Sequence, residues 1–190
     1  MTEQQNNLQN QQQHQRPKFE LATSRGFPAW LASIKSSIVF TTYQAGKIFF
    51  IGINPSTGRL SIFERTLERV MGLAVNKNDL YTSTLYQLWR FQNALLPGQT
   101  FAQKQDDPGY DRVFLPRQSW VTGDIDIHDM AVENSGRIVF CNTLFNCIGT
   151  TSEEHNFQPL WKPKWISKIA PEDRCHLNGL SLRDGRVRYV

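Results

Sequence analysis

Five polar side chains in two short stretches have the types and spacing to do chemistry. Asp126, His128 and Asp129 crowd the start of one apolar run, and His176 and Asn178 the start of another. Carboxylate and amide oxygens suit a hard cation, and imidazole nitrogens suit a borderline one. The set could therefore hold a divalent cation, calcium or zinc, beside a small ligand. Imidazole and carboxylate also exchange protons near neutral pH. His128 and Asp129 are thus the candidate catalytic residues. Asp126, His128, His176 and Asn178 form the candidate ligand-binding set, with Asn178 as the candidate metal ligand. The spacing lacks the pattern of closed Cys/His zinc sites. A plainer reading competes, in which Asp and His at strand starts bond exposed backbone. No P-loop, G-x-S-x-G or H-E-x-x-H run is present.

A repeat must position these residues. Val70–Ser83, Asp126–Thr143 and His176–Val190 each read as an apolar alternating run, a turn and a second apolar run. Ala74, Ala131 and Ser181 hold equivalent places, 57 and 50 residues apart. Those steps are near the roughly 40–50 residues of one propeller blade. The turns Asn78-Asp79, Ser135-Gly136 and Asp184-Gly185 supply the positive φ that tight hairpins need. A looser fourth copy lies upstream, where Ala45–Phe50 (AGKIFF) parallels Ser135–Phe140 (SGRIVF). Aligning the copies stacks Arg69, Asp126 and His176 in one layer and Met71, His128 and Asn178 in a second. Residues two apart share a strand face, so both layers point one way and Asp129 the other. In a propeller these first residues of the innermost strands gather at one channel mouth.

The fold expected is therefore all-β: an incomplete β-propeller of about three blades and a fraction, each a four-stranded antiparallel sheet, since a closed ring takes roughly four to eight blades. The last repeat stops within its second strand, which predicts an N-terminal fragment of a longer propeller. Open strand edges and an exposed apolar blade face should then make the chain self-associate. Two regions divide the sequence. Residues 1–16 are a Gln/Asn-rich tail with too few apolar residues to offset ordering entropy, which predicts disorder. Residues 17–190 are the partial propeller domain. Pro28 starts a short helix within it. Strands are expected at Ser37–Tyr43, Lys47–Asn54, Arg59–Phe63, Val70–Val75, Leu80–Thr84, Gln87–Phe91, Ile127–Val132, Ile138–Asn142 and Cys147–Thr151. Gln92–Asp111 reads as a long irregular loop, Arg112–Leu115 as a completing strand, and Trp161–Ile166 as an outer strand with Pro163 at an edge.

Composition excludes several classes. Of 190 residues, 39% are hydrophobic and 20% charged, and twelve Phe with five Trp and five Tyr favour strands. The formal charge of +4 is scattered singly, without the basic stripe that nucleic acid needs. No segment is apolar and long enough to span a membrane, and no signal-peptide core opens the chain. Cys141, Cys147 and Cys175 are odd in number and lack C-x-x-C spacing, which points to reduced thiols and a cytoplasmic location. Asn142 and Asn146 read as turn-satisfying residues and His155 as solvated. A Cys175–His176 nucleophile pair is disfavoured because strand neighbours face apart.

Two resemblances arise at these residues. His176–Val190 (HLNGLSLRDGRVRYV) resembles the N-G…D-G-x-Y-V signature of gluconolactonase-like, senescence-marker-type propellers. That resemblance implies a metal-dependent hydrolase or lactonase with Asn178 as a divalent-metal ligand. The strings TTYQAGKIFFIG, DIHDMAV, NTLFNCI and PKWISKIAPEDRCHLNGL are similar over nearly all of Phe27–Val190 to the bacterial family of domain of unknown function 4915. This second resemblance implies a propeller without established activity, in proteins longer than this chain. It also implies association with tetratricopeptide-repeat proteins as possible partners. Two functions stand: a domain binding a small ligand or protein partner at the channel mouth, and the hydrolase.

Overall fold

The computed structural model describes residues 21–102 and 109–190. The Gln/Asn-rich tail read as disordered lies outside the described residues. One short helix, α1 (Phe27–Ser33), begins with Pro at its first turn and buries Leu31. Pro fits there because its missing N–H would have had no helical partner anyway.

Strands follow in four antiparallel sheets, so the architecture is all-β with the strand pattern of successive propeller blades. The first sheet is β1 (Ile38–Thr42), β2 (Lys47–Ile53) and β3 (Leu60–Thr66). A second is β4 (Leu73–Asn76), β5 (Asp79–Ser83), β6 (Gln87–Asn93) and β7 (Phe114–Val121). The third is β8 (Ile127–Val132), β9 (Ile138–Asn142), β10 (Cys147–Thr150) and β11 (Gln158–Trp161). The fourth is the hairpin β12 (Ser181–Arg183) and β13 (Arg186–Tyr189). The three repeats thus open three different sheets. Val70 and Leu177 precede their strands, whereas Ile127 begins its own.

Strand burial explains the order within a sheet. β9 and β10 are buried at every residue, while all of β11 is exposed. The third sheet therefore runs from a packed middle to a solvated outer edge. Between the second and third sheets sits a core of Tyr81, Leu88, Ile125, Ile127, Met130, Ile138 and Phe140. Gly72 lets the two sheets close up: a Cβ there would stand 3.3 Å from both Ile127 Cγ2 and Met130 Cγ.

Each seam between sheets carries the same staple. A hydroxyl near the end of one strand donates to a carbonyl just before, or at the start of, the next sheet's first strand. Thr41 donates to Met71 O at 2.6 Å, Ser83 to Ile127 O at 3.1 Å, and Thr143 to Leu177 O at 2.5 Å. Ser83 ends β5 and Thr143 follows β9, both second strands. Thr41 lies in β1, so β1 holds a second-strand place. This corrects the alignment of Ala45–Phe50 with Ser135–Phe140, which had made β2 the counterpart of β9. Apolar alternation alone could not tell neighbouring strands of one sheet apart.

Other boundaries also shift. The β4–β5 turn is Lys77-Asn78, between the paired Asn76 and Asp79, with Lys77 at φ +56°. In the β12–β13 turn both Asp184 and Gly185 have positive φ, as a type I′ hairpin needs. The third sheet's outer strand ends at Trp161, and the expected continuation becomes a turn closed by Ile166 N–H donating to Pro163 O at 3.0 Å. Within the expected irregular loop, Phe101 and Tyr110 form a bridge across residues that are not described. Among the described residues, no helix is long and apolar enough to cross a membrane.

Candidate functional site

The layer of Arg69, Asp126 and His176 has one backbone conformation. All three are in the left-handed region, at φ +51°, +54° and +42°. Each occupies the same place before a sheet's first strand. A non-glycine residue there is strained by about 1–3 kcal/mol, and Asp tolerates it better than most. The repeat of this geometry turns three side chains toward one end of the sheets.

A chain of polar contacts joins them. Arg69 pairs with Asp126, and its other guanidinium nitrogen lies 3.1 Å from Asp124. Burial alone would lower the Arg69 guanidinium, but the hydrogen bond and charge of Asp126, with the charge of Asp124, hold it above its ordinary value. Asp126 Oδ2 also faces His128 Nε2 at 3.2 Å, and His128 Nδ1 faces Asn178 Oδ1 at 2.9 Å. His176 lies against the same ring: the two imidazoles are perpendicular with centroids 4.8 Å apart. Asp173 faces His176 Nδ1 at 2.8 Å. Four of the five sequence-selected residues thus form one cluster, built from the starts of three sheets.

His128 is the enclosed member, with a side chain 9% exposed, while His176 is 57% exposed and Asn178 is exposed. Both oxygens facing the His128 ring are acceptors, a geometry satisfied by a ring carrying protons on both nitrogens. Turning over the Asn178 amide would satisfy a singly protonated ring instead.

Asp129 stands apart from this chain. Its Oδ2 accepts from Leu180 N at 2.9 Å and its Oδ1 from Met130 N at 2.8 Å. A register shift between Ile127 and Met130 breaks the strand alternation. His128 and Asp129, although adjacent, therefore both reach the segment that leads into β12. Asp129 holds backbone across the third seam, with each of its oxygens accepting one main-chain N–H.

Three cluster members were not selected from sequence. Tyr43, in the β1–β2 turn, brings a 47% exposed ring 6.3 Å from His128, with the Arg69 guanidinium 5.9 Å from its centroid. Asp124 lies two residues before Asp126, a spacing that hints at a shared face. Asp173 lies three before His176. No local pattern marks Tyr43, because it reaches the cluster only through the neighbouring sheet.

The donor set does not fit a metal site. Among the described residues, no three His, Cys, Asp or Glu side chains are grouped to hold an ion. Asn178 Oδ1 is directed to His128, and the Asp126 oxygens to Arg69 and His128. The cluster is an open polar ledge. Concave surface lies elsewhere, beside Arg183, Arg188 and Tyr189, and between Leu67, Tyr86 and Trp89.

Asn142 and Asn146 are fully buried, and their side-chain oxygens accept from Phe145 N at 3.0 Å and Cys175 N at 3.0 Å. Asn146 thereby anchors the segment carrying His176. Burial pushes the Cys141 and Cys147 thiols up to about 12.

A family model described as Domain of unknown function (DUF4915) matches residues 25–190. The chain belongs to this family. Matching from α1 through β13, the DUF4915 region includes every cluster residue. No curated protein matches the DUF4915 chain. Among solved structures it is similar to a catalytically inactive variant of virginiamycin B lyase from Staphylococcus aureus, crystallised with quinupristin. Identity is 17%, the TM-score 0.42, and the match covers 70% of this chain. The DUF4915 chain spans about 40% of that structure's length.

Proposed function

We propose that the ledge of Arg69, Asp126, His128, His176 and Asn178 binds a small polar ligand, and that this domain is a binding module. One observation carries the reading. The starts of three successive sheets place ionisable or amide side chains in continuous contact, where packing alone would favour the Val, Ile and Leu found elsewhere on these strands. Burying polar groups costs about 1–3 kcal/mol each when they lack partners, and here each partner is another member of the cluster. The exposed atoms of His176, Asn178 and Asp124, beside the face of Tyr43, offer donors, acceptors and an aromatic surface to one ligand. The second reading is a hydrolase with Asn178 as metal ligand and His128 or Asp129 as acid/base; against it, Asn178 Oδ1 faces His128 and both Asp129 oxygens accept main-chain N–H groups.

A fragment screen by two-dimensional amide NMR on the isotope-labelled chain tests the proposal. Polar fragments should shift the amides of Arg69, Asp126, His128 and Asn178 together. His128→Ala and Asn178→Ala should weaken those shifts while the remaining amides keep the spectrum of the folded chain. Shifts confined to the concavity beside Arg183 and Tyr189, or none at all, would sink it.

A further inference from the structure

A cleft between the first and second sheets takes no part in the ledge. Leu67 and Glu68, which precede β4, form one side, and Leu85, Tyr86 and Trp89, at the β5–β6 turn, form the other. Its volume is about 190 Å³. Sites for drug-sized ligands take roughly 300–1,000 Å³, so this one suits a single small head group.

The walls are held in place. Leu88 belongs to the core against the third sheet. Its strand neighbour Trp89 therefore lies on the opposite face of the sheet. There its ring stacks on Phe91 with centroids 6.0 Å apart. Tyr86 keeps a ring that is 53% exposed. Backbone bonds fix the turn that carries it: Thr84 N–H donates to Gln87 O at 2.7 Å and Thr122 N–H to Tyr86 O at 2.9 Å. Leu85 N–H donates to Glu68 O at 3.0 Å, which ties the two sides together. A ligand entering this cleft has little backbone freedom to freeze.

The charge is uncompensated. Glu68 is exposed, and among the described residues its carboxylate has no ion pair. Arg69, beside it in sequence, is turned to Asp124 and Asp126 instead. A free carboxylate next to two aromatic rings and two leucines matches a cation with an apolar surface. Ring faces attract positive charge, and alkyl groups on the cation can pack against the leucines. An anion would be repelled by Glu68, and a hydrated metal ion would gain nothing from the leucines.

We propose that this cleft binds a small organic ammonium ion carrying methyl groups on nitrogen, with Tyr86 and Trp89 as its aromatic walls and Glu68 as its counter-ion.

Choline chloride, titrated into the isotope-labelled full chain at fixed ionic strength, is the probe. The amides of Glu68, Leu85 and Tyr86 and the indole N–H of Trp89 should shift together and saturate, while the amides of Asp126 and His128 stay in place. Glu68→Gln and Tyr86→Leu, both at exposed positions, should each weaken binding about three- to tenfold, the order of one such contact. The neutral alcohol in which carbon replaces the choline nitrogen has the same shape and should bind more weakly by at least that factor. This comparison uses the unaltered chain, so it decides the proposal even where a substitution disturbs folding. Equal binding of the alcohol would make the cleft merely apolar and overturn the proposal. So would choline shifts that are absent, that centre on Asp126 and His128, or that neither substitution weakens.

Discussion

His128 Nδ1 lies 2.9 Å from Asn178 Oδ1, across the seam between the third and fourth sheets. The two residues are 50 positions apart and occupy the same place in consecutive repeats. This contact and that from Asp129 Oδ2 to Leu180 N hold neighbouring points of one segment. They differ in kind: the first joins exposed and enclosed polar groups on the ledge, and the second ties backbone. Substitutions should separate them.

A double-mutant cycle on His128 and Asn178 should return a coupling of about 0.5–1.5 kcal/mol, the net worth of one hydrogen bond. Asp129→Ala should destabilise more than Asn178→Ala, because it strands the Leu180 amide. Chemical denaturation of the four cycle members and the Asp129 variant measures both. Equal costs for Asp129→Ala and Asn178→Ala would refute the distinction.

Asp126 combines a strained backbone with an ion pair. Asp126→Gly should relieve the φ of +54° but lose the Arg69 partner, whereas Asp126→Val should lose the partner and keep the strained backbone. The valine variant should therefore be less stable than the glycine variant by about 1–3 kcal/mol. Thermal melts of the two proteins compare them directly. A valine variant as stable as the glycine variant would show that the left-handed backbone is not retained.

Glu133 is 5% exposed, and its Oε1 accepts from Val187 N at 3.1 Å while Oε2 accepts from Arg137 at 2.6 Å. Burial pushes its carboxyl up, but the Val187 amide, Arg137 and the charge of Arg186 outweigh burial and hold it below its ordinary value of 4.5. A carboxyl depressed in the folded state contributes stability that is complete above its unfolded value and is lost as pH falls through the folded value. Stability should therefore fall on acidification below about pH 4.5 more steeply in the wild type than in Glu133→Gln. Urea midpoints from pH 6 down to pH 3, roughly the window in which carboxylates titrate, measure the two slopes. Parallel slopes would remove Glu133 as the source.

The thiols should differ in reactivity. Cys141 and Cys147 are buried, with thiolates disfavoured by burial, and Cys175 is half-buried with its thiol raised but not to the same extent. Iodoacetamide on the native chain should label Cys175 first, and the other two only on unfolding, because the thiolate is the nucleophile. Peptide mass spectrometry over time reads the order. Early labelling of Cys141 or Cys147 would mean that the third sheet opens locally.

The sequence by itself determined the all-β class, the repeat and most strand positions. β8 and β9 span the residues that alternation marks, because their apolar residues alternate or run without break and their turns carry Gly or Asn. Stacking the repeats also brought Asp126 above His176 and His128 above Asn178, since equivalent places in equivalent strands share a height. Only the tertiary structure decided what those residues touch. The bulge at His128–Asp129 turned two adjacent side chains to one segment, and a period of two cannot encode a break in itself. Tyr43 joined the cluster through a seam between sheets that no local pattern records. The place of β1 as a second strand came from the Thr41 staple, a single hydroxyl contact 30 residues long in sequence. Periodicity reports which face of a strand is apolar. Which strand lies beside which is set by hydrogen bonds and packing between distant residues, and these exist only once the chain has folded.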